Sequence, residues 1–138
     1  MDATDVRNTS PDARASLTIA VADDVAEIQT LAKIWLTELG HQVLCAGNGR
    51  ELIQWCESRR VDIVLTDVVM PETDGFEVIR QVRARHPAIK IVSMSGGAPV
   101  MSMDQCLHIA RALGADAVLR KPFNRAQLVD VVDAVIKA

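Results

Sequence analysis

Val61-Asp62-Ile63-Val64-Leu65-Thr66-Asp67 is the stretch that decides the fold. Its near-continuous apolar run predicts a strand that is covered on both faces, as in a parallel sheet. Asp67 ends this run, and an earlier apolar run over residues 16–22 leads into Asp23-Asp24. Because the carboxyl ends of neighbouring parallel strands meet at one edge, we expect the three carboxylates to share one small cavity. Their repulsion is costly unless a cation lies among them, so the pattern predicts a divalent-metal site.

Outward from this stretch, strand and helix patterns alternate five times. The predicted strands cover residues 17–22, 42–46, 61–66, 89–94 and 117–120, and the predicted helices cover residues 25–39, 50–60, 76–85, 102–113 and 124 to the C-terminus. The alternation predicts a doubly wound α/β fold, with a five-stranded parallel sheet and helices on both faces. These patterns leave the strand order open between the two common arrangements.

The segments outside this alternation are expected to be irregular. Residues 1–15 are polar and aperiodic, which predicts a flexible N-terminal tail before a domain over residues 16–138. Residues 68–75 are expected to form a loop, and residues 95–101 a fairly long, flexible loop. Gly40 is expected to end the first helix, and Asn124 to cap the last. Ser102 and Gln105 have the spacing of a capping box.

Composition excludes several function classes. The 138 residues are 49% hydrophobic and 24% charged, which is typical of one globular domain. The net charge of −3 gives no electrostatic case for binding nucleic acid or a membrane surface. No apolar run approaches the roughly 20 residues of a membrane span, and no secretory signal is visible. The three cysteines are widely spaced, which favours free thiols in a reducing cytoplasm over a disulfide or zinc framework.

Two further polar residues follow predicted strands at the same edge. Ser95 follows the fourth strand, and Lys121 follows the fifth, ahead of Pro122. Carboxylate oxygens are hard ligands that suit Mg²⁺, and a lysine both neutralises them and binds phosphoryl oxygens. A serine hydroxyl can hydrogen-bond such an oxygen, and a carboxylate can act as a nucleophile that forms an acyl phosphate. The set therefore indicates phosphoryl transfer, which depends on positioning and charge neutralisation.

The ordered set of motifs resembles the receiver domain of bacterial two-component response regulators, of the single-domain chemotaxis type. The motifs are Asp23-Asp24, Asp67, Met70-Pro71, Asp74-Gly75, Ser95 and Lys121-Pro122-Phe123. Each motif is weak by itself, but together they are specific because they occur in the right order and spacing. The resemblance runs from about Leu17 to the C-terminus. It implies a flavodoxin-like fold with strand order 2-1-3-4-5 and a cis Lys121–Pro122 peptide.

The resemblance also implies a role for each site residue. Asp67 would accept a phosphoryl group from the phosphohistidine of a sensor histidine kinase or histidine phosphotransfer protein. Mg²⁺ would be bound by Asp24, Asp67 and the backbone carbonyl of Val69, with Asp23 acting through water. Lys121 would pair with Asp67 and then with the phosphoryl group, and Ser95 would be the hydroxyl that switches towards it. The protein would assist its own phosphorylation and dephosphorylation without being an enzyme that turns over a separate substrate.

By the same resemblance, a downstream protein would bind the face formed by the fourth helix, fifth strand and fifth helix. No direct contact with nucleic acid or membrane is expected, and the location would be the cytoplasm. The chain departs from the family pattern at two positions. Val118 stands where a switch aromatic is expected, three residues before Lys121. Val69 is apolar where many relatives carry a polar residue that orients water, so we expect the Asp67 phosphate to hydrolyse slowly.

Three alternative functions remain to be weighed. Phosphatases of the haloacid dehalogenase type need Asp-x-Asp after the first strand, whereas here Val68-Val69 follow Asp67 on the third. A flavin-binding module needs a hydroxyl-rich phosphate loop after the first strand, where Asp23-Asp24 would repel the phosphate. An interaction-only pseudo-receiver would keep the fold without phosphorylation, and the complete residue set argues against it.

Purely structural interpretations compete at several positions. Asp23 and Asp24 could form a helix N-cap pair. Asp62 and Asp74-Gly75 are interpreted as structural, and Trp35 as a core residue, whereas Trp55 has no assignment. Arg80, Arg83 and Arg85 are interpreted as a solvated helix face.

Overall fold

The computed structural model describes residues 16–70, 73–96 and 102–137. The predicted tail over residues 1–15 lies outside these residues, as does most of the loop predicted over residues 95–101. Among the described helices, none combines the length and the apolar character that a membrane crossing requires.

Strands and helices alternate along the chain as predicted, with boundaries that differ by only one or two residues. The strands are β1 (Thr18–Ala22), β2 (Gln42–Ala46), β3 (Ile63–Asp67), β4 (Val69–Met70), β5 (Thr73–Asp74), β6 (Lys90–Ser95) and β7 (Ala117–Arg120). The helices are α1 (Ala26–Glu38), α2 (Gly49–Ser58), α3 (Gly75–Arg85), α4 (Met103–Ala112) and α5 (Arg125–Lys137). Gly40, with φ of +91°, follows α1 as predicted, because this left-handed conformation suits glycine.

The main sheet is parallel and has the strand order β2-β1-β3-β6-β7. Counted along the chain within this sheet, the order is 2-1-3-4-5, which confirms the flavodoxin-like prediction. Ala22 of β1 lies beside Thr66 of β3, and Asp67 lies beside Met94 of β6. Because these strands end level with one another, the residues at their carboxyl ends meet at one edge.

The sheet separates two apolar cores, and this explains the apolar run of β3. Val64 packs into the core that includes residues of α2, α3 and α4, whereas Ile63 and Leu65 pack into the core that includes residues of α1 and α5. Every residue of β3 is buried. Trp35 packs against the second core, with its ring edge-to-face on Phe123 at 6.4 Å, so its assignment to packing is confirmed.

The segment after β3 differs from the prediction of a plain loop. Its short strands β4 and β5 pair antiparallel with each other, separately from the main sheet. The chain turns back so closely here that a Cβ on Gly75 would lie 2.4 Å from Val68 Cα and 2.6 Å from Asp67 O. Asp74 then caps α3 by accepting a hydrogen bond from Phe76 N at 2.9 Å. Asp74-Gly75 is therefore structural, as predicted.

The assignment of Arg83 to a solvated face is wrong. Its guanidinium donates to the carbonyls of Gly114 at 2.9 Å and Ile89 at 3.1 Å, and it pairs with Asp116 Oδ2 at 2.5 Å. The reason is local. The chain turns at Gly114 with φ of +121°, which leaves carbonyl groups at the amino end of the sheet that need a donor. Arg83 therefore joins the end of α3 to the entries of β6 and β7.

Trp55 and Asp62 make hydrogen bonds to the backbone. The Trp55 indole N–H donates to the carbonyl of Cys45 at 3.0 Å, on the edge strand β2. Asp62 Oδ2 accepts from Thr18 N at 2.9 Å, which ties the starts of β3 and β1 together. Trp55 thus gains an assignment that its sequence context did not provide, and the structural interpretation of Asp62 is confirmed.

Candidate functional site

Three carboxylates meet at the carboxyl edge of the sheet. Asp23 and Asp24 follow β1, and Asp67 is the last residue of β3. One carboxylate oxygen from each lies within 4.8 Å of the others. The prediction of a shared acidic cluster is therefore confirmed, and Asp67 joins the two consecutive aspartates because β1 and β3 end level with each other.

Lys121 supplies the positive charge of this cluster. Its Nζ lies 2.6 Å from Asp23 Oδ2 and 2.8 Å from Asp67 Oδ2. The backbone N–H of Lys121 donates to Ser95 O at 3.0 Å, and the Lys121–Pro122 peptide is cis, as expected. The lysine therefore reaches the two aspartates from a backbone that is anchored to β6.

The cluster remains short of positive charge. Three carboxylates face one ammonium group, which leaves two negative charges in excess. Burial raises the pKa of Asp23 above its ordinary value, although hydrogen bonds from Lys121 and Val25 act against this shift. Burial acts to lower the pKa of Lys121, but its contacts with Asp23 and Asp67 outweigh burial and raise it. An added cation would relieve the excess.

The three aspartates differ in how they are held. Asp67 Oδ1 accepts from Val69 N at 3.0 Å, and Asp23 Oδ1 accepts from Val25 N at 2.9 Å. Both residues are buried, whereas Asp24 is exposed and makes no hydrogen bond or ion pair within the described part of the chain. Asp24 is thus the carboxylate that is most available to a metal ion.

The alternative in which Asp23 and Asp24 cap the first helix is wrong in its simple form. The N-cap residue of α1 is Val25, and no side chain caps this helix. Asp23 instead accepts the N–H of the N-cap residue itself. The helix begins one residue too late for either carboxylate to reach the free N–H groups of its first turn.

Ser95 and Val69 complete the predicted site set. Ser95 is fully buried at the end of β6, next to Met94, whose carbonyl accepts from Val68 N at 3.2 Å. Val69 presents a side chain that is 40% exposed, and its N–H points to Asp67. Val69 therefore contacts Asp67 through its backbone, and Ser95 lies at the end of the strand that neighbours Asp67.

One residue of the site was missed. Gln29, in the second turn of α1, donates from Nε2 to the backbone carbonyl of Asp23 at 2.6 Å. A glutamine six residues after an aspartate is no recognisable motif, so the sequence offered no signal for this contact.

The donor set fits Mg²⁺. All three side chains offer carboxylate oxygens, which are the hard ligands that Mg²⁺ prefers, and exposed Asp24 leaves room for the waters this ion retains. Neither cysteine nor histidine belongs to the cluster, which argues against a zinc site.

Comparison with known proteins identifies the family to which this fold and site correspond. The family described as "Response regulator receiver domain" matches residues 19–133. The chain is 33% identical over 124 residues to the DNA-binding transcriptional regulator NtrC of Azospirillum brasilense, covering 90% of this chain and 25% of NtrC. It is 31% identical over 119 residues to the alkaline phosphatase synthesis transcriptional regulatory protein PhoP of Bacillus subtilis, covering 86% of this chain and 48% of PhoP.

Solved structures give the same result. The chemotaxis response regulator CheY4 of Vibrio cholerae superposes with a TM-score of 0.79 and 26% identity, over 88% of this chain and 99% of CheY4. The chain thus spans a quarter to a half of the length of the NtrC and PhoP relatives and nearly the whole of CheY4.

Proposed function

The chain belongs to the response regulator receiver domain family, a phosphoacceptor switch of two-component signalling, and we propose that Asp67 is its phosphoacceptor. The observation that carries this assignment is the position of Asp67 in the cluster of three carboxylates, with Lys121 Nζ 2.8 Å from its Oδ2. A carboxylate oxygen of Asp67 attacks the phosphorus of the donor and forms an acyl phosphate. The bond between phosphorus and the donor's protonated imidazole breaks, and its electron pair leaves with the nitrogen as neutral histidine.

Asp24, Asp67 and the backbone carbonyl of Val69 would hold Mg²⁺, and Asp23 would act through water. When bound, the ion neutralises the excess negative charge and attracts a phosphoryl oxygen. The support is the exposed Asp24 carboxylate beside two buried ones.

Lys121 and Ser95 would act on the phosphoryl group. The Lys121 ammonium already spans Asp23 and Asp67, so it is positioned to follow negative charge onto a phosphoryl oxygen. Ser95 lies at the next strand end and would donate its hydroxyl to another phosphoryl oxygen. In this way the chain assists its own phosphorylation and dephosphorylation.

Acetyl phosphate provides the direct test. With Mg²⁺ and acetyl phosphate, we expect the intact mass to rise by about 80 Da, the mass of one covalent phosphoryl group. Asp67→Ala should show no such adduct, and Asp62→Ala, at the opposite end of the same strand, should keep it. An adduct that persists in Asp67→Ala would show that another residue is the acceptor.

Val69 favours a long-lived phosphate. Its apolar side chain lies at the mouth of the site and cannot orient an attacking water by hydrogen bonding. We therefore propose slow hydrolysis, which Val69→Asn should accelerate. A phosphate that is lost quickly from the wild type, and at the same rate from Val69→Asn, would contradict this proposal.

The phosphodonor would be a sensor histidine kinase or a histidine phosphotransfer protein, and a downstream protein would bind the face formed by α4, β7 and α5. On that face Arg120 of β7 pairs with Asp104 of α4 at 2.5 Å. Arg120 also lies beside Ser95 in the sheet, so the pair connects the strand next to Ser95 with α4. Such a link could carry the signal in place of the aromatic that Val118 replaces.

Both partners in this proposal are proteins, and we expect no direct contact with nucleic acid or membrane. The free thiols of Cys45, Cys56 and Cys106 support a cytoplasmic location.

A further inference from the structure

The carbonyl of Asp23 belongs to the peptide group that joins the two aspartates after β1. Asp23 itself is held at three further points, because its N–H donates to Ala46 O at 3.1 Å and its side chain contacts Val25 N and Lys121 Nζ. The contact with Val25 N spans Asp24, but none of the three involves the carbonyl of the peptide that leads to Asp24. The hydrogen bond from Gln29 Nε2 to Asp23 O, at 2.6 Å, holds this carbonyl and with it the plane of the peptide.

Asp24 depends on this peptide plane more than the other two aspartates do. Its carboxylate is exposed and has no hydrogen bond within residues 16–70, 73–96 and 102–137. The backbone therefore sets the direction in which the Asp24 side chain leaves the chain, and no contact of the carboxylate within these residues adds to it. Because the peptide group is planar, a side chain that fixes the Asp23–Asp24 peptide also limits the direction in which the Asp24 side chain leaves the backbone.

The beginning of α1 lacks an N-cap side chain that could hold this turn. Val25 occupies the N-cap position and provides no side-chain acceptor. In α2, α4 and α5 an N-cap side chain ties the entering chain to the first helical turn, through Asn48, Ser102 and Asn124. In α1 the direction is reversed, because the side chain of Gln29, inside the helix, donates to the carbonyl of Asp23 in the turn before it.

We propose that Gln29 is a positioning residue for the metal site, which orients Asp24 by holding the carbonyl of Asp23. This inference rests on the proposed function, because it assigns Gln29 to the Mg²⁺ site argued there. Loss of the amide donor leaves all carboxylates in place but lets Asp24 sample more orientations. Mg²⁺ then binds more weakly, whereas phosphorylation at saturating Mg²⁺ is largely retained.

The test is Mg²⁺ affinity, measured by isothermal titration calorimetry on Gln29→Met, which keeps the length of the side chain and removes the donor. We expect Kd to rise about tenfold, the lower end of what the loss of a partner to a metal ligand costs. The rate of phosphorylation by acetyl phosphate at saturating Mg²⁺ should change less than about twofold, since binding and chemistry separate in this way. Gln54→Met, the same change at an exposed site on α2, is the matched control and should leave Kd unchanged.

Gln29→Asn distinguishes the loss of this hydrogen bond from a general folding defect. It keeps the amide but shortens the side chain by one methylene, so it should also weaken Mg²⁺ binding while circular dichroism shows the wild-type fold. A wild-type Kd in both Gln29 variants overturns the role of Gln29 and leaves the proposed function standing. A wild-type protein that binds no Mg²⁺ overturns both.

Discussion

At the amino end of the sheet, the Arg83 guanidinium donates to three backbone carbonyls and to the Asp116 carboxylate, so each partner gains a matched donor. At the carboxyl end, a single ammonium, from Lys121, faces three carboxylates. Both ends bring charge into the protein, but only the first balances it. The difference indicates that the amino end stabilises the fold. The carboxyl end keeps an excess of negative charge, which favours the binding of a cation and, with it, of a phosphoryl group.

The helix ends show the same contrast. Asn48, Ser102 and Asn124 cap α2, α4 and α5, and two of these are reciprocal capping boxes with a glutamine. Helix α1 begins at the acidic cluster without a side-chain cap. A missing cap costs about 1 kcal/mol, so this helix gives up stability where the Asp24 carboxylate is left available.

The largest expected effect is at the amino end. Arg83→Met should lower the free energy of unfolding by about 3 kcal/mol, because it removes the ion-pair partner of a partly buried carboxylate and the side-chain donor to three carbonyls. Urea unfolding followed by circular dichroism measures the loss. Arg80→Met is the control, since the pair that Arg80 makes with Glu77 is exposed, and it should change stability little. Equal losses in the two variants would contradict the contrast between the ends.

A smaller effect is expected at Gly75, which packs against the backbone of Asp67 and Val68. Gly75→Ala places a methyl group within van der Waals overlap of the Asp67–Val68 backbone, and we expect it to cost about 2 kcal/mol of stability and to slow phosphorylation by displacing Asp67. Gly47→Ala is the matched control, because its Cβ would meet nothing closer than 3.6 Å. If Gly75→Ala has wild-type stability and phosphorylation, the backbone there is more adaptable than we infer.

Removing one charge should abolish the response to metal. At ten times its Kd, Mg²⁺ should stabilise the wild type by about 1.4 kcal/mol, and Asp24→Asn should lose most of this gain. Without Mg²⁺ the variant should be at least as stable as the wild type, because it removes like-charge repulsion. Thermal unfolding with and without Mg²⁺ measures both effects. Asp130→Asn is the control, because Asp130 is an exposed residue of α5, and this variant should respond to Mg²⁺ as the wild type does.

Cys56 provides a reference for burial without an ion pair. Burial raises the pKa of the Cys56 thiol from 9.0 to about 11. Between these values the unfolded chain releases a proton that the folded chain keeps, so stability falls as the pH rises, by about 1 kcal/mol between pH 8 and pH 9.5. Cys56→Ser should lack this part of the loss. Denaturant unfolding at the two pH values measures it, and parallel profiles for the two proteins would contradict the expectation.

Sequence reasoning reached the fold and the cluster because both depend on patterns that are regular along the chain. The apolar run before Asp67 identified a buried strand, and residues at strand ends converge whatever their separation in sequence. The contacts of Arg83 and Gln29 could not be predicted in this way. Each depends on a carbonyl turned towards one particular side chain, and the orientation of a single peptide group leaves no periodic trace.

The hydrogen bond between Trp55 and Cys45 has a consequence for self-association. β2 is an outer strand, and such strands carry backbone groups that a strand of another molecule could pair with. The indole occupies the Cys45 carbonyl and lies over this margin of the sheet. A foreign strand would have to displace a tryptophan before it could add there, so this margin is a poor template for aggregation.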